Sequence, residues 1–106
     1  MSLEKNRKTA DLLTICNKAR KTVKGFDSVR ECAAEGKAFC VITASDASPK
    51  TVKETEFVCG KYGVAVLPCG LSKDELGKLC GKATAVIAVT DKGFAEAFGR
   101  ILNAEK

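Results

Sequence analysis

Ala38-Phe39-Cys40-Val41-Ile42-Thr43-Ala44-Ser45-Asp46-Ala47-Ser48-Pro49 is the stretch on which the fold turns. Its first six residues form a continuous apolar run of strand length with β-branched members. Such a run marks a strand covered on both faces. The next six are loop chemistry closing on a helix start. Ser48 suits an N-cap, and Pro49 suits the first helical position, where a missing N–H costs nothing. The helix so opened is predicted to reach about Tyr62 and to stop at Gly63.

The same strand–helix unit recurs downstream. Val64-Ala65-Val66-Leu67 reads as a second short buried strand, ended by Pro68. Ser72-Lys73-Asp74-Glu75 is a capping box opening a short helix through Cys80, with Gly81 closing it. Ala85-Val86-Ile87-Ala88-Val89-Thr90 reads as a third buried strand, and Asp91 can cap a last helix with the core stripe Phe94, Ala95, Phe98, Ile101 and Leu102. Upstream, a first helix is predicted over about residues 6–22, with Leu12, Ile15, Cys16, Ala19 and Val23 as its apolar stripe. Thr22-Val23-Lys24 can also form a short edge strand. A second helix follows Gly25 to about Glu35, with Val29, Cys32 and Ala33 facing the core and Gly36 at a left-handed C-cap. Its start fits either a Ser28–Glu31 capping box or an Asp27 cap. Buried strands alternating with helices predict an α/β fold. It is a three-layer α/β/α sandwich around a small, mostly parallel mixed central sheet. At 106 residues the chain reads as one domain, 1–106.

Charge singles out the N-terminal quarter. Lys5, Arg7, Lys8, Lys18, Arg20, Lys21 and Lys24 fall in the first 25 residues against only Glu4 and Asp11, so this segment carries the whole net charge of +5. The other basic and acidic side chains, 11 of each, cancel. Net positive charge confined to one helix and its exit turn, beside the N-terminus of the next helix, suits an anionic ligand. The polar N-terminus has no signal-peptide core, and no apolar run approaches the roughly 20 residues that cross a bilayer, so a cytoplasmic protein without membrane contact is expected.

Several chemistries find little support. The six cysteines have no pair closer than eight positions, and the chain has no histidine, so zinc ligation is not expected. They read as reduced thiols buried as small hydrophobes, with Cys69, between Pro68 and Gly70, the most exposed. Gly77-Lys78-Leu79-Cys80-Gly81-Lys82 only superficially resembles a phosphate loop, because three residues separate the glycines and the segment closes a helix. Asp46 and Asp91 follow strands, where a Mg²⁺-dependent carboxylate enzyme would gather its groups; as helix or turn caps they need no such role. No catalytic residue, metal or cofactor is expected.

Over nearly its whole length the chain resembles a known family. The resemblance rests on residues 19–25, on Glu35-Gly36-Lys37-Ala38, on residues 44–49, on Leu71-Ser72-Lys73-Asp74-Glu75-Leu76-Gly77 and on residues 86–95. These, in this order, are similar to bacterial YlxQ-type proteins of the kink-turn-binding ribosomal protein superfamily, L-seven-Ae type. The resemblance implies the same sandwich and RNA binding in the cytoplasm, in association with ribosomal or other structured RNA; a non-enzymatic, monomeric protein is expected. It implies an RNA site at the start of the second helix, where the family carries Gly-Thr-Asn-Glu and a Lys one turn on. Here those positions are Gly25, Phe26, Asp27, Ser28 and Glu31, and the family's second RNA-contacting loop corresponds to Lys82, Ala83 and Thr84.

The departures bear on specificity. Ionised Asp27 only accepts hydrogen bonds where Asn both donates and accepts; Ser28 is too short for a carboxylate's bidentate contact; Glu31 puts an anion where the family has a cation. Arg20, Lys21, Lys24 and Gly25 remain as backbone-contacting features, and phosphate contacts supply affinity with little sequence information. An alternative on the same fold is a protein–protein adaptor that has lost kink-turn specificity, its basic helix docking an acidic partner.

Overall fold

The computed structural model describes residues 2–103. Five helices and four strands alternate as α1 (Ser2–Lys18), β1 (Thr22–Lys24), α2 (Phe26–Ala34), β2 (Cys40–Thr43), α3 (Pro49–Tyr62), β3 (Ala65–Pro68), α4 (Lys73–Cys80), β4 (Val86–Val89) and α5 (Lys92–Leu102). The sheet order is β1-β4-β2-β3. β4 is antiparallel to both β1 and β2, and β2 is parallel to β3. Three strands therefore run one way, but β4 inserts among them reversed. Only one of the three ladders is parallel, so the sheet is mixed as expected and less parallel in its pairing than expected.

The central strands explain the three layers. Every residue of β2 and β4 is buried, and successive side chains point to opposite faces. Cys40, Ile42, Ile87 and Val89 enter one core with Leu13, Leu76, Phe98 and Leu102 from α1, α4 and α5. Val41, Val86 and Ala88 enter another with Val29, Cys32 and Cys59 from α2 and α3. β3 is an edge strand in which Leu67 alone is buried, not the covered strand expected; Pro68, which has no N–H to donate, is tolerated there. The caps at Ser48, Ser72 and Asp91 form as expected. No helix among the described residues is long and apolar enough to cross a membrane.

Two further expectations are corrected. α1 stops at Lys18, four residues early, and its buried stripe is Thr9, Leu13 and Cys16, while Ile15 is exposed. Cys16 is common to the expected and observed stripes, whereas Val23, which ended the expected one, belongs to β1. Thr9 sits in the core with its hydroxyl donating to the Lys5 carbonyl at 2.9 Å within its own helix. Cys69 is buried, because the chain leaving β3 turns inward and its thiol donates to the Leu71 carbonyl at 3.8 Å. All six cysteines are buried, and burial raises their thiol pKa values, Cys16 to about 11 and Cys40 to about 12.

Candidate nucleic-acid interface

Gly25 joins β1 to α2 at φ +93°, ψ 145°, where only glycine is unstrained. It is the N-cap of α2 and has no side chain to cap with; no side-chain bond closes this helix start among the described residues. Neither the Ser28–Glu31 box nor the Asp27 cap forms. The helix begins at Phe26, which places Asp27, Ser28 and Glu31 inside it with their side chains exposed. The first-turn N–H groups thus have no capping side chain, and the positive end of the helix dipole lies there.

Two hydrogen bonds pin Gly25 to a distant part of the chain. Its N–H is shared between the Val86 carbonyl at 3.2 Å and Thr84 Oγ1 at 3.1 Å. Thr84 Oγ1 in turn donates to the Val86 carbonyl at 2.7 Å. Lys24 Nζ reaches the Cys80 carbonyl at 3.0 Å, a cation at the C-terminus of α4, and Asn17 Oδ1 at 3.4 Å. Thr22 Oγ1 donates to the same Asn17 oxygen at 2.9 Å. Gly77 lets the loop after α4 lie close, since a Cβ there would sit 2.8 Å from the Ala83 backbone. Chain segments roughly 60 residues apart in sequence thereby form one turn-and-loop surface.

The residues singled out in the sequence divide. Gly25, Lys82, Ala83 and Thr84 come together, but Thr84 is buried and holds the loop instead of facing outward. Lys24 spends its ammonium inside the molecule. Arg20 and Lys21 are exposed at the other end of β1, with Lys21 about 13 Å from Gly25 by strand rise. Phe26 is half-buried on the α2–α3 side with the Arg30 guanidinium 5.7 Å from its ring centroid. Asp27 approaches Arg30 at 3.7 Å, an exposed pair worth at most about 1 kcal/mol. Ser28 and Glu31 line a different groove with Val23, Glu35, Lys37 and Phe39.

Arg20 carries a backbone feature that the sequence does not announce. It has φ +61°, and among the described residues it is the one non-glycine with positive φ. The Lys21 N–H bonds the Cys16 carbonyl and the Arg20 N–H the Asn17 carbonyl, both at 3.0 Å, a Schellman close to α1 with Arg where glycine is usual. The two strand-end carboxylates act as caps. Asp91 Oδ1 accepts from the Phe94 N–H at 3.0 Å, and Asp46 Oδ1 accepts from the Lys73 N–H at 2.9 Å. Asn17, Gly77 and the bridging role of Thr84 escaped sequence reasoning. Only Gly77, a glycine inside a predicted helix, gave a local signal.

The fold has known counterparts. The chain belongs to the ribosomal protein L7Ae/L30e/S12e/Gadd45 family, which it matches over residues 7–98. It is 40% identical over 85 residues to the RNA-binding protein YlxQ of Bacillus subtilis (strain 168), covering 79% of this chain and 84% of that protein. Among solved structures it is similar to a Bacillus halodurans protein of unknown function (TM-score 0.83, 30% identity, 89% of this chain and 95% of that one). It is also similar to the Giardia lamblia 15.5kD RNA binding protein (TM-score 0.73, 25% identity, 95% and 83%).

Proposed function

We propose that this protein is a non-enzymatic, cytoplasmic, single-domain RNA-binding protein that grips structured, kink-turn-like RNA, ribosomal RNA included, at the β1–α2 turn. The observation that carries the reading is the start of α2, which lacks a capping side chain and is held by Thr84 against the Lys82–Ala83 loop. An RNA phosphate meets the backbone N–H groups of that turn, where no Cβ intervenes at Gly25. The exposed Arg20 and Lys21 meet the same backbone further along. Membership of the family and the RNA-binding names of two relatives support this reading. Asp27, Ser28 and Glu31 favour recognition by shape and backbone over base readout. Mobility-shift titrations of a kink-turn hairpin and an unbent duplex across a salt series test it. Affinity should fall steeply with salt; a dissociation constant weaker than about 10⁻⁴ M, or no salt dependence, would remove the proposal.

Arg20→Gly separates binding from folding. Glycine relieves a left-handed conformation that costs about 1–2 kcal/mol, partly offset by its greater unfolded-state entropy. The urea midpoint should rise, equivalent to a few tenths to about 1 kcal/mol, while RNA affinity falls and the salt slope drops by about one phosphate contact. Opposite signs in the two measurements are the expected result.

A second reading, a protein adaptor, has one specific observation in its favour. The groove beside α2 combines the half-exposed Phe39 ring with Glu31 and with Glu35, which Lys37 pairs at 3.3 Å, so Glu31 leaves the surface net negative and unsuited to phosphate. Pull-down after thorough nuclease treatment discriminates: a partner retained without RNA favours the adaptor.

A further inference from the structure

Phe57 is 75% exposed and Tyr62 is 42% exposed, although both lie on α3 within a well-packed fold. They line a groove of about 470 Å³ between α2 and α3, within the range of ligand-sized clefts. Helical spacing arranges its walls. Lys53, Phe57 and Lys61 recur every four residues, so the exposed ring is flanked by an ammonium one turn above and one turn below. Tyr62 lies on the neighbouring stripe with Lys61 Nζ 5.5 Å from its ring centroid. From α2, Phe26 and Arg30 complete the opposite wall. Among the lining residues Arg30, Lys53 and Lys61 stand against Glu54 alone. Flat aromatic rings alternating with cations are the chemistry of a stacking platform for unpaired nucleotides, where rings take the bases and cations take the phosphates. The groove also adjoins the turn already described, because Phe26 follows Gly25 directly.

We propose that this α2–α3 groove is a second RNA contact, which holds unpaired nucleotides running off the structured RNA bound at Gly25. It rests on the proposed function and extends it, giving the protein a preference for structured RNA with a single-stranded flank.

Fluorescence anisotropy would compare a kink-turn hairpin alone, the same hairpin with about ten uridines at its 5′ or its 3′ end, and the uridine run by itself. One of the extensions should tighten binding about fivefold or more. Phe57→Ala should remove that gain while leaving the bare hairpin's affinity and the melting temperature unchanged, since the ring is exposed. Lys53→Glu with Lys61→Glu should remove it too and lower the salt slope of the extended probe. Extensions that add nothing, or a gain that survives Phe57→Ala, overturn the groove proposal while hairpin binding keeps the first site intact. A bare hairpin that fails to bind, beside a uridine run bound through Phe57, overturns the first site and upholds the groove. A protein retained through Phe57 from nuclease-treated extract, with no uridine effect, assigns the groove to a protein partner and overturns the proposal.

Discussion

Gly25→Val should weaken binding to a structured RNA at least tenfold and lower stability by about 1–3 kcal/mol. No steric collision is the cause, since a Cβ at Gly25 would meet nothing within 4 Å. The cost is the backbone itself: φ +93° with ψ 145° is closed to a β-branched residue. Valine must therefore rotate the peptide, which pulls the Gly25 N–H away from Thr84 Oγ1 and the Val86 carbonyl and frees the Lys82–Ala83 loop. Gly36→Ala is the matched control. Gly36 has φ +74° at the opposite end of α2, so alanine there should cost a comparable, smaller amount of stability while RNA affinity holds. Urea denaturation and mobility shift on both variants check this. Equal affinity losses in the two would mean that the turn has no special role.

Alkaline pH should unfold the protein sharply between about pH 9 and 12. Desolvation by burial raises the Cys16 thiol from its ordinary 9.0 to about 11, with the nearby Asp91 adding to the shift, and raises the Cys40 thiol to about 12. Cys32, Cys59, Cys69 and Cys80 move the same way, burial leading in each. An unfolded thiol loses its proton near 9 while the buried one keeps it. Above that pH the unfolded state binds fewer protons, so stability falls as pH rises and is unaffected below it. Each such thiol contributes a slope of up to about 1.4 kcal/mol per pH unit. Cys16 and Cys40 together remove at most about 7 kcal/mol over their two windows, enough to exhaust a stability at the lower end of the usual range of about 5–15 kcal/mol. Urea midpoints should be flat from pH 7 to 8.5 and then collapse. Cys40→Ala should lower stability at neutral pH through its cavity and make the alkaline slope shallower, and that slope is the readout. An unchanged slope would mean that the Cys40 thiol does not drive the collapse.

Much of the fold is legible locally. The Ser48–Pro49 start, the Ser72–Glu75 box and the Asp91 cap each satisfy N–H groups within three residues of themselves, so the motif and its structure are the same piece of chain. Cys40–Thr43 and Val86–Val89 are legible as covered strands, because only burial on both faces calls for an unbroken apolar run. Where reading failed, a long-range partner overrode a local preference. Ser28 and Glu31 have the spacing of a capping box, but Gly25 bonds to β4 and fixes the start of α2 earlier. Val23 continues the helical period of α1, yet it pairs with Ala88 in the sheet.

The sequence by itself determined the alternation of helices and covered strands, the confinement of net charge to the first quarter of the chain, and the family resemblance that marked Gly25 and residues 82–84. These depend on periodicity, composition and local hydrogen bonding, which act over a few residues. The tertiary structure alone decided that β4 lies reversed between β1 and β2 and that Lys24 spends its charge on the Cys80 carbonyl. It alone tied Gly25 to the following loop through Thr84 and left Phe57 bare between two lysines. Each of these is a contact, or an exposure, set by which distant segments fill the space around a residue. That arrangement is settled only when the two cores close on the sheet.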